Sequence, residues 1–358
     1  MTLDRRQLIN RSGAVGAGLL ATSVVGLGTP ARAERHAASR GTRLFPPLES
    51  SSGDLLALPH GFSYEVVAVS GQTDLTDGAG RVIGKTPERP DGTLVVESGS
   101  GLRLIQNHEA SPGSPQPVPL VQGTTYDPGC LGGGCTVIDV TRNGRRRREW
   151  VGLSGTYSNC AGGPTPWGSW LTCEETEARA GTGTLQKDHG YVFEVFADEP
   201  SAQSPKPIKA WGRFAHEAVV IEPGRTRAYL TEDASSPNGL FYRWTAPTGY
   251  KLRPRIADAL GPDDGVLEAL VVLDRDGSVL PDLAYVTSAQ IGRPFATRWK
   301  QVPDRSARDT SVRKQLTDGE VTRSKKLEGA WGDKQGAYFV SSFAFGPTDL
   351  PADATRHD

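Results

Sequence analysis

NCAGGPTPWGSWLTCEE, residues Asn159–Glu175, sets Cys160 among small residues and follows it, one apolar run later, with the pair Glu174 and Glu175. The chain has 358 residues and only four cysteines, so this thiol is either half of a disulfide beside a solvated acidic loop or part of a metal site. The same stretch carries the fold signal, because SWLTCEE is a β-prone apolar run that ends on carboxylates. That pattern recurs. LRLIQNHE (102–109) ends on Glu109 and RAYLTED (227–233) ends on Glu232 and Asp233. Each is followed by a Gly- or Asp-rich loop and then a Gly-led strand: GGGCTVIDV (132–140), GYVFEVFAD (190–198) and GLFYRWTA (239–246).

Composition agrees with an all-β chain, since 43 Gly and 26 Pro punctuate short runs of β-branched and aromatic residues. A unit repeated in this way predicts a β-propeller with short helical excursions over 53–346, built from small sheets set around an axis. GFSYEVVAVSG (61–71), REWVGLSGTY (148–157), HEAVVIEPG (216–224) and GAYFVSSFAFG (336–346) are further strand candidates. Between Arg253 and Arg323 the pattern loosens: DDGVLEALVVLDRDGSVL (263–280) reads as a hairpin, and the polar run 298–320 is expected to carry a helix whose charges face water. Carboxylates at equivalent strand ends would face one another across a narrow mouth, where like charges repel strongly unless cations neutralise them. The alternative is that each Glu ends its strand at the solvent edge.

The first residues read as an export signal. Arg5 and Arg6 precede a Gly/Ala-rich apolar run, and Ala-Arg-Ala ends at Ala33, which matches a twin-arginine signal peptide over 1–33. The run is shorter than the ~20 residues that a membrane span needs. Residues 34–52 read as a polar linker or arm and 347–358 as an irregular tail. Outside the cytoplasm cysteines are usually paired, so Cys130 and Cys135, close together in a Gly-rich turn, are candidates for a small disulfide. Cys160 then either pairs with Cys173 or is a metal-held thiolate. A formal charge of −1 excludes a nucleic-acid partner that needs a basic face.

Chemistry concentrates in NHE (107–109), NCAGG (159–163), CEE (173–175), FAHEA (214–218), LTED (230–233) and KLEGAW (326–331). Carboxylate-rich clusters select calcium, magnesium or ferric iron, and one thiolate among them shifts preference toward a transition metal. His108 and His216 each precede a Glu, so on a strand they point to the opposite, packed face and read as structural. There is no H-E-x-x-H and no G-x-S-x-G, which removes zinc-protease and α/β-hydrolase readings.

GTYSNCAGGPTPWGSWLTCEE, NHE, GRFAHEA, YLTED and LEGAW, in their order along 44–345, resemble the PhoX-type alkaline phosphatases, a family of twin-arginine-exported β-propeller proteins. The resemblance implies a monomeric, periplasmic or extracellular phosphomonoesterase that meets the twin-arginine translocase on export. It implies iron(III) and calcium around a bridging oxo group, with a metal-held oxo or hydroxide as nucleophile. By motif position Cys160 looks like the thiolate of the iron pair, with Glu109 and Glu328 on the iron side. Glu175, Glu217 and Asp233, then Glu174 and Glu232, would serve calcium. Where the family has an Arg before the last motif's Glu this chain has Lys326, a phosphate contact that keeps the charge without the bidentate fork. The family continues past the YFVSS strand, so the propeller is expected to be incomplete at its C-terminal end. Two other functions fit the carboxylates: a non-catalytic calcium-binding propeller, and a calcium-dependent lactonase or phosphotriesterase.

Overall fold

Short β-prone runs between Gly- and Pro-rich turns form strands throughout the computed structural model, which describes residues 47–49, 55–99, 101–198, 202–287, 290 and 292–342. The chain divides into two units, Met1–Tyr64 and Glu65–Asp358. In the first, β1 (Leu48–Glu49) pairs antiparallel with β2 (Leu58–Pro59). The expected signal peptide at 1–33 and tail at 347–358 lie outside the described residues, as does the arm at 34–52 apart from 47–49.

In the second unit, β3 (Asp74–Thr76), β4 (Val82–Lys85), β5 (Pro90–Ser98), β6 (Gly101–His108), β7 (Gly133–Thr141) and β8 (Arg146–Thr156) form a six-stranded sheet in the order β4-β3-β8-β7-β6-β5. All its pairs are antiparallel except β3 with β8. Strands β9 (Asn159–Pro164), β10 (Trp170–Glu174) and β11 (Val192–Val195) form a three-stranded antiparallel sheet. A second six-stranded sheet runs in chain order through β12 (His216–Ile221), β13 (Arg227–Glu232), β14 (Gly239–Thr245), β15 (Val266–Leu273) and β16 (Ala296–Gln301), with β17 (Arg323–Ser324) paired to β14. The hairpin β18 (Leu327–Gly332) and β19 (Ala337–Ser341) follows. Among the described residues the one α-helix is α1 (Ile256–Ala259).

The chain is mostly β-sheet, but it is not the expected propeller. A propeller repeats equal small sheets around an axis. Among the described residues the sheets of the second unit contain six, three, six and two strands, and none of them closes on itself. The recurring strand-plus-carboxylate unit marks where strands end, and says nothing about how many strands share one ladder. Two local expectations also change. Among 61–71 no strand forms, and the polar run 298–320 holds the end of β16 and a single 3-10 turn at Val312–Lys314 where a helix is expected. Two of its four arginines turn inward: Arg305 Nη1 donates to Ala210 O and Asp264 O at 2.9 Å, and Arg313 is buried, while Arg298 and Arg308 are exposed. A guanidinium supplies several donors at once, which suits an interior lined by carbonyls and carboxylates.

Two apolar clusters join the sheets. Trp211, Phe214, Tyr242 and Trp244 pack with Leu171, Val219 and Leu230 between the β9–β11 ladder and the second large sheet. Ile105, Trp150 and Leu153 pack with Phe193 and Val195 between the first large sheet and the same ladder. Full burial of a side chain such as Leu171 or Phe214 stabilises the fold by about 1.5–3 kcal/mol.

Strand β9 is the junction. A Cβ on Gly162 would lie 1.9 Å from Leu171 O on β10, and one on Gly163 would lie 1.8 Å from Val219 O on β12. Neither backbone can retreat without opening a core. Gly163→Ala is therefore expected to destabilise the protein by at least about 3 kcal/mol in chemical denaturation. Gly84→Ala on β4, where an added Cβ meets nothing within 4 Å, is expected to stay within about 0.5 kcal/mol of wild type.

Candidate metal centre

The glycines of β9 bring Cys160 to the place where β5, β10, β12 and β18 converge, and Asn107 at the end of β6 holds it there. Asn107 Nδ2 donates to Cys160 O at 2.8 Å and Ala161 O at 2.9 Å, while its Oδ1 accepts from Trp170 Nε1 at 2.8 Å and Cys135 Sγ at 3.0 Å. Asn159 ties the same strand to its neighbours, accepting from Thr156 Oγ1 and donating to Thr172 Oγ1. The Glu175 N–H, just past β10, donates to Ser158 O at 3.0 Å, which fixes that residue beside the start of β9.

The result is a cluster in which ligand atoms of Cys160, Glu175 and Glu217 all lie within 4.8 Å of one another. Cys160 and Glu217 are buried and Glu175 is half-buried. Further carboxylates stand close enough to act on them. Asp233, Glu109 and Glu328 press on Glu175, and Glu328 and Asp91 on Glu217. Lys326 is the cation whose field reaches Glu175, with Nζ 2.8 Å from Asp233 Oδ2 and 3.1 Å from Glu328 Oε1.

Two of the expected ligands point elsewhere. Glu174 Oε1 accepts from Tyr157 N at 3.0 Å and pairs with His189 Nδ1 at 2.6 Å, and Oε2 accepts from Gly190 N and Tyr191 N. His189 in turn reaches Asp127 Oδ2 at 3.2 Å. Glu232 Oε2 accepts from Tyr242 Oη at 2.6 Å and Leu240 N at 3.2 Å, and its Oε1 from Arg313 Nη1 at 3.1 Å. Both carboxylates are fully buried and already saturated. His108 and His216 are buried on the packed side, His108 between Glu88 O and Thr136 Oγ1, His216 against Gly212 O. Burial keeps both imidazoles neutral, pushing His216 down to about 3.

The disulfide expectations fail, because all four cysteines are free and buried. Cys130 Sγ donates to Thr156 O at 3.2 Å while Cys135 faces Asn107, so the Gly-rich turn separates the two thiols. Sequence reading assigns no role to three residues, of which Asn107 stands in the NHE motif. Asp91 sits in Pro90–Gly92, which reads as a turn. Asn107 and His189 carry no signal of their own, because their importance lies in non-local partners.

Like charges and burial act strongly within the cluster. Burial, and then Glu175, pushes Glu217 up to about 8; burial, and then Asp233 and Glu109, pushes Glu175 up to about 7. Burial and the charge of Glu217 hold the Cys160 thiol well above its usual range. A thiol and several carboxyls that resist ionisation together fit a site for multivalent cations, with carboxylates for hard ions and sulfur for a transition metal.

Both carboxyls hold their protons more tightly in the folded protein than in the unfolded chain. Without a cation, their contribution to stability is present near about pH 4.5 and is lost as the pH rises toward about 8. In chelator-treated protein this loss is expected to exceed about 1 kcal/mol and to shrink in Glu217→Gln. Denaturation curves across this range check it; a wild type and variant that fall in parallel would contradict it.

A family model described as alkaline phosphatase PhoX matches residues 43–151 and 144–356. Among curated proteins none matches the chain. Among solved structures it is similar to Pseudomonas fluorescens PhoX in complex with vanadate, a transition state analogue, with 19% identity and a TM-score of 0.52. That likeness covers 82% of this chain and 67% of the other, and shows a shared fold. With the family model spanning most of its length, the chain belongs to the PhoX alkaline phosphatases and is classed with the phosphoric monoester hydrolases.

Proposed function

We propose that the protein is an exported, metal-dependent alkaline phosphatase that hydrolyses phosphomonoesters, with its reaction centre at Cys160, Glu175 and Glu217. The observation that carries this reading is the approach of ligand atoms of a buried thiol and two carboxyls to within 4.8 Å, under the charges of Asp91, Glu109, Asp233 and Glu328. The carboxylates suit calcium or iron(III) and the thiolate a transition metal, and the family resemblance assigns iron(III) to Cys160, Glu109 and Glu328 and calcium to Glu175, Glu217 and Asp233. When bound, such ions supply the positive charge that attracts a phosphomonoester dianion, polarise its oxygens and activate water for attack.

The chain's own residues set the conditions for that chemistry. The acidic ring places cations at one mouth, and its packed floor of Gly162, Gly163 and the Asn107 hydrogen bonds keeps Cys160 from moving away. Lys326, with a side chain 42% exposed, offers a single point charge at the rim that can grip a phosphoryl oxygen. The vanadate complex of the Pseudomonas fluorescens protein supports phosphoryl chemistry in this fold. The N-terminal pattern supports export by the twin-arginine translocase, in keeping with work in the periplasm or outside the cell.

Elemental analysis and p-nitrophenyl phosphate hydrolysis on one exported sample test the proposal. Iron and calcium are expected in the protein, with activity lost on chelation and reduced at least roughly 100-fold in kcat/KM by Cys160→Ala. Full activity in Cys160→Ala, or turnover of a lactone or phosphotriester in place of the monoester, would overturn it.

A further inference from the structure

Lys326 occupies the left-handed region, with φ of 57°, which non-glycine residues seldom enter. Its carbonyl accepts from Ser342 N at 3.1 Å, so the backbone is held just ahead of β18. From that position the side chain runs inward. Its Nζ bridges Asp233, which follows β13, and Glu328 on β18, at 2.8 and 3.1 Å. Asp233 is nearly covered, with 11% of its side chain exposed, whereas the lysine retains 42%. The ammonium thus uses lone pairs that a metal cation would need.

Two cations cannot share those carboxylate oxygens at close range without strong repulsion. Lysine is suited to yielding the place, because its charge is compact and its four-carbon stem swings freely, unlike the planar fork of arginine. The neighbouring carboxylates Glu174 and Glu232 show the contrast. Their partners are backbone N–H groups, a buried tyrosine, His189 and the buried Arg313, none of which can swing out to water.

We propose that Lys326 is a displaceable internal counter-ion. In the cation-free protein its ammonium closes the acidic cluster across Asp233 and Glu328, and a metal cation entering at those carboxylates expels it toward solvent. Released, the ammonium is available to a phosphate-type oxyanion, so cation binding precedes and promotes anion binding. This inference rests on the metal-centre reading of the site.

Calorimetric titration of metal-free full-length protein with calcium tests it. Lys326→Met, with Lys326→Gln as a second neutral variant, is expected to bind calcium roughly ten- to a hundred-fold more tightly than wild type. Lys326→Arg keeps the charge but holds the two carboxylates through its planar fork, and is expected to bind calcium more weakly than wild type. Inorganic phosphate titrated into the calcium-loaded proteins is expected to bind more weakly in both neutral variants. A merely structural lysine would weaken both ligands together. Calcium affinity that is unchanged or lower in both neutral variants overturns the inference while leaving the metal centre standing. Absence of calcium binding in wild type and variants alike overturns both.

Discussion

Strand β9 lies so close to β10 and β12 that two consecutive residues have no room for a side chain. This contact is what the rest of the molecule is arranged around. Cys160 stands two residues before Gly162 on the same strand, so the separation that the glycines permit sets how far the thiol sits from Glu217 on β12 and from Glu175 past β10. Asn107 completes the constraint from the first sheet, spending both amide hydrogens on the carbonyls of Cys160 and Ala161. A buried amide with every group satisfied is rigid, because losing any partner leaves a desolvated polar atom behind.

Alternation along the strands then sorts the carboxylates. Glu174 and Glu175 are neighbours, yet one faces a closed pocket of N–H donors and His189 while the other faces like charges. The same division separates Glu232, locked by Tyr242 and Arg313, from Asp233, which meets a lysine. It separates His216, packed and neutral, from Glu217. Saturated acids fasten the scaffold, and unsaturated ones define the mouth. Within the second group Cys160, Glu175 and Glu217 form a cluster that could hold a metal ion, in keeping with membership of the PhoX alkaline phosphatases.

Much of this was legible in the residues. Runs ending at Glu109, Glu174 and Glu232 are strands β6, β10 and β13 with boundaries close to those expected, since period-two patterning and Gly punctuation act locally. The packed faces of His108 and His216 followed from the same alternation. The propeller did not follow, because a repeated strand-and-loop unit is compatible with ladders of six strands as well as with equal blades. The inward turn of Arg305 and Arg313 was equally hidden: a polar run reads as a solvated one until its buried carbonyl and carboxylate partners are known.

By itself, then, the sequence determined the strand content, the motif order that marks the family and the set of acids from which a site is drawn. Tertiary structure alone decided how the strands are shared among open sheets, which member of each acidic pair is taken up by hydrogen bonds, that the charge of Asp91 reaches Glu217, and that no cysteine is paired. The division has a physical cause. Patterning and turn chemistry depend on adjacent residues, whereas charge burial, hydrogen-bond saturation and backbone approach depend on groups brought together from distant parts of the chain.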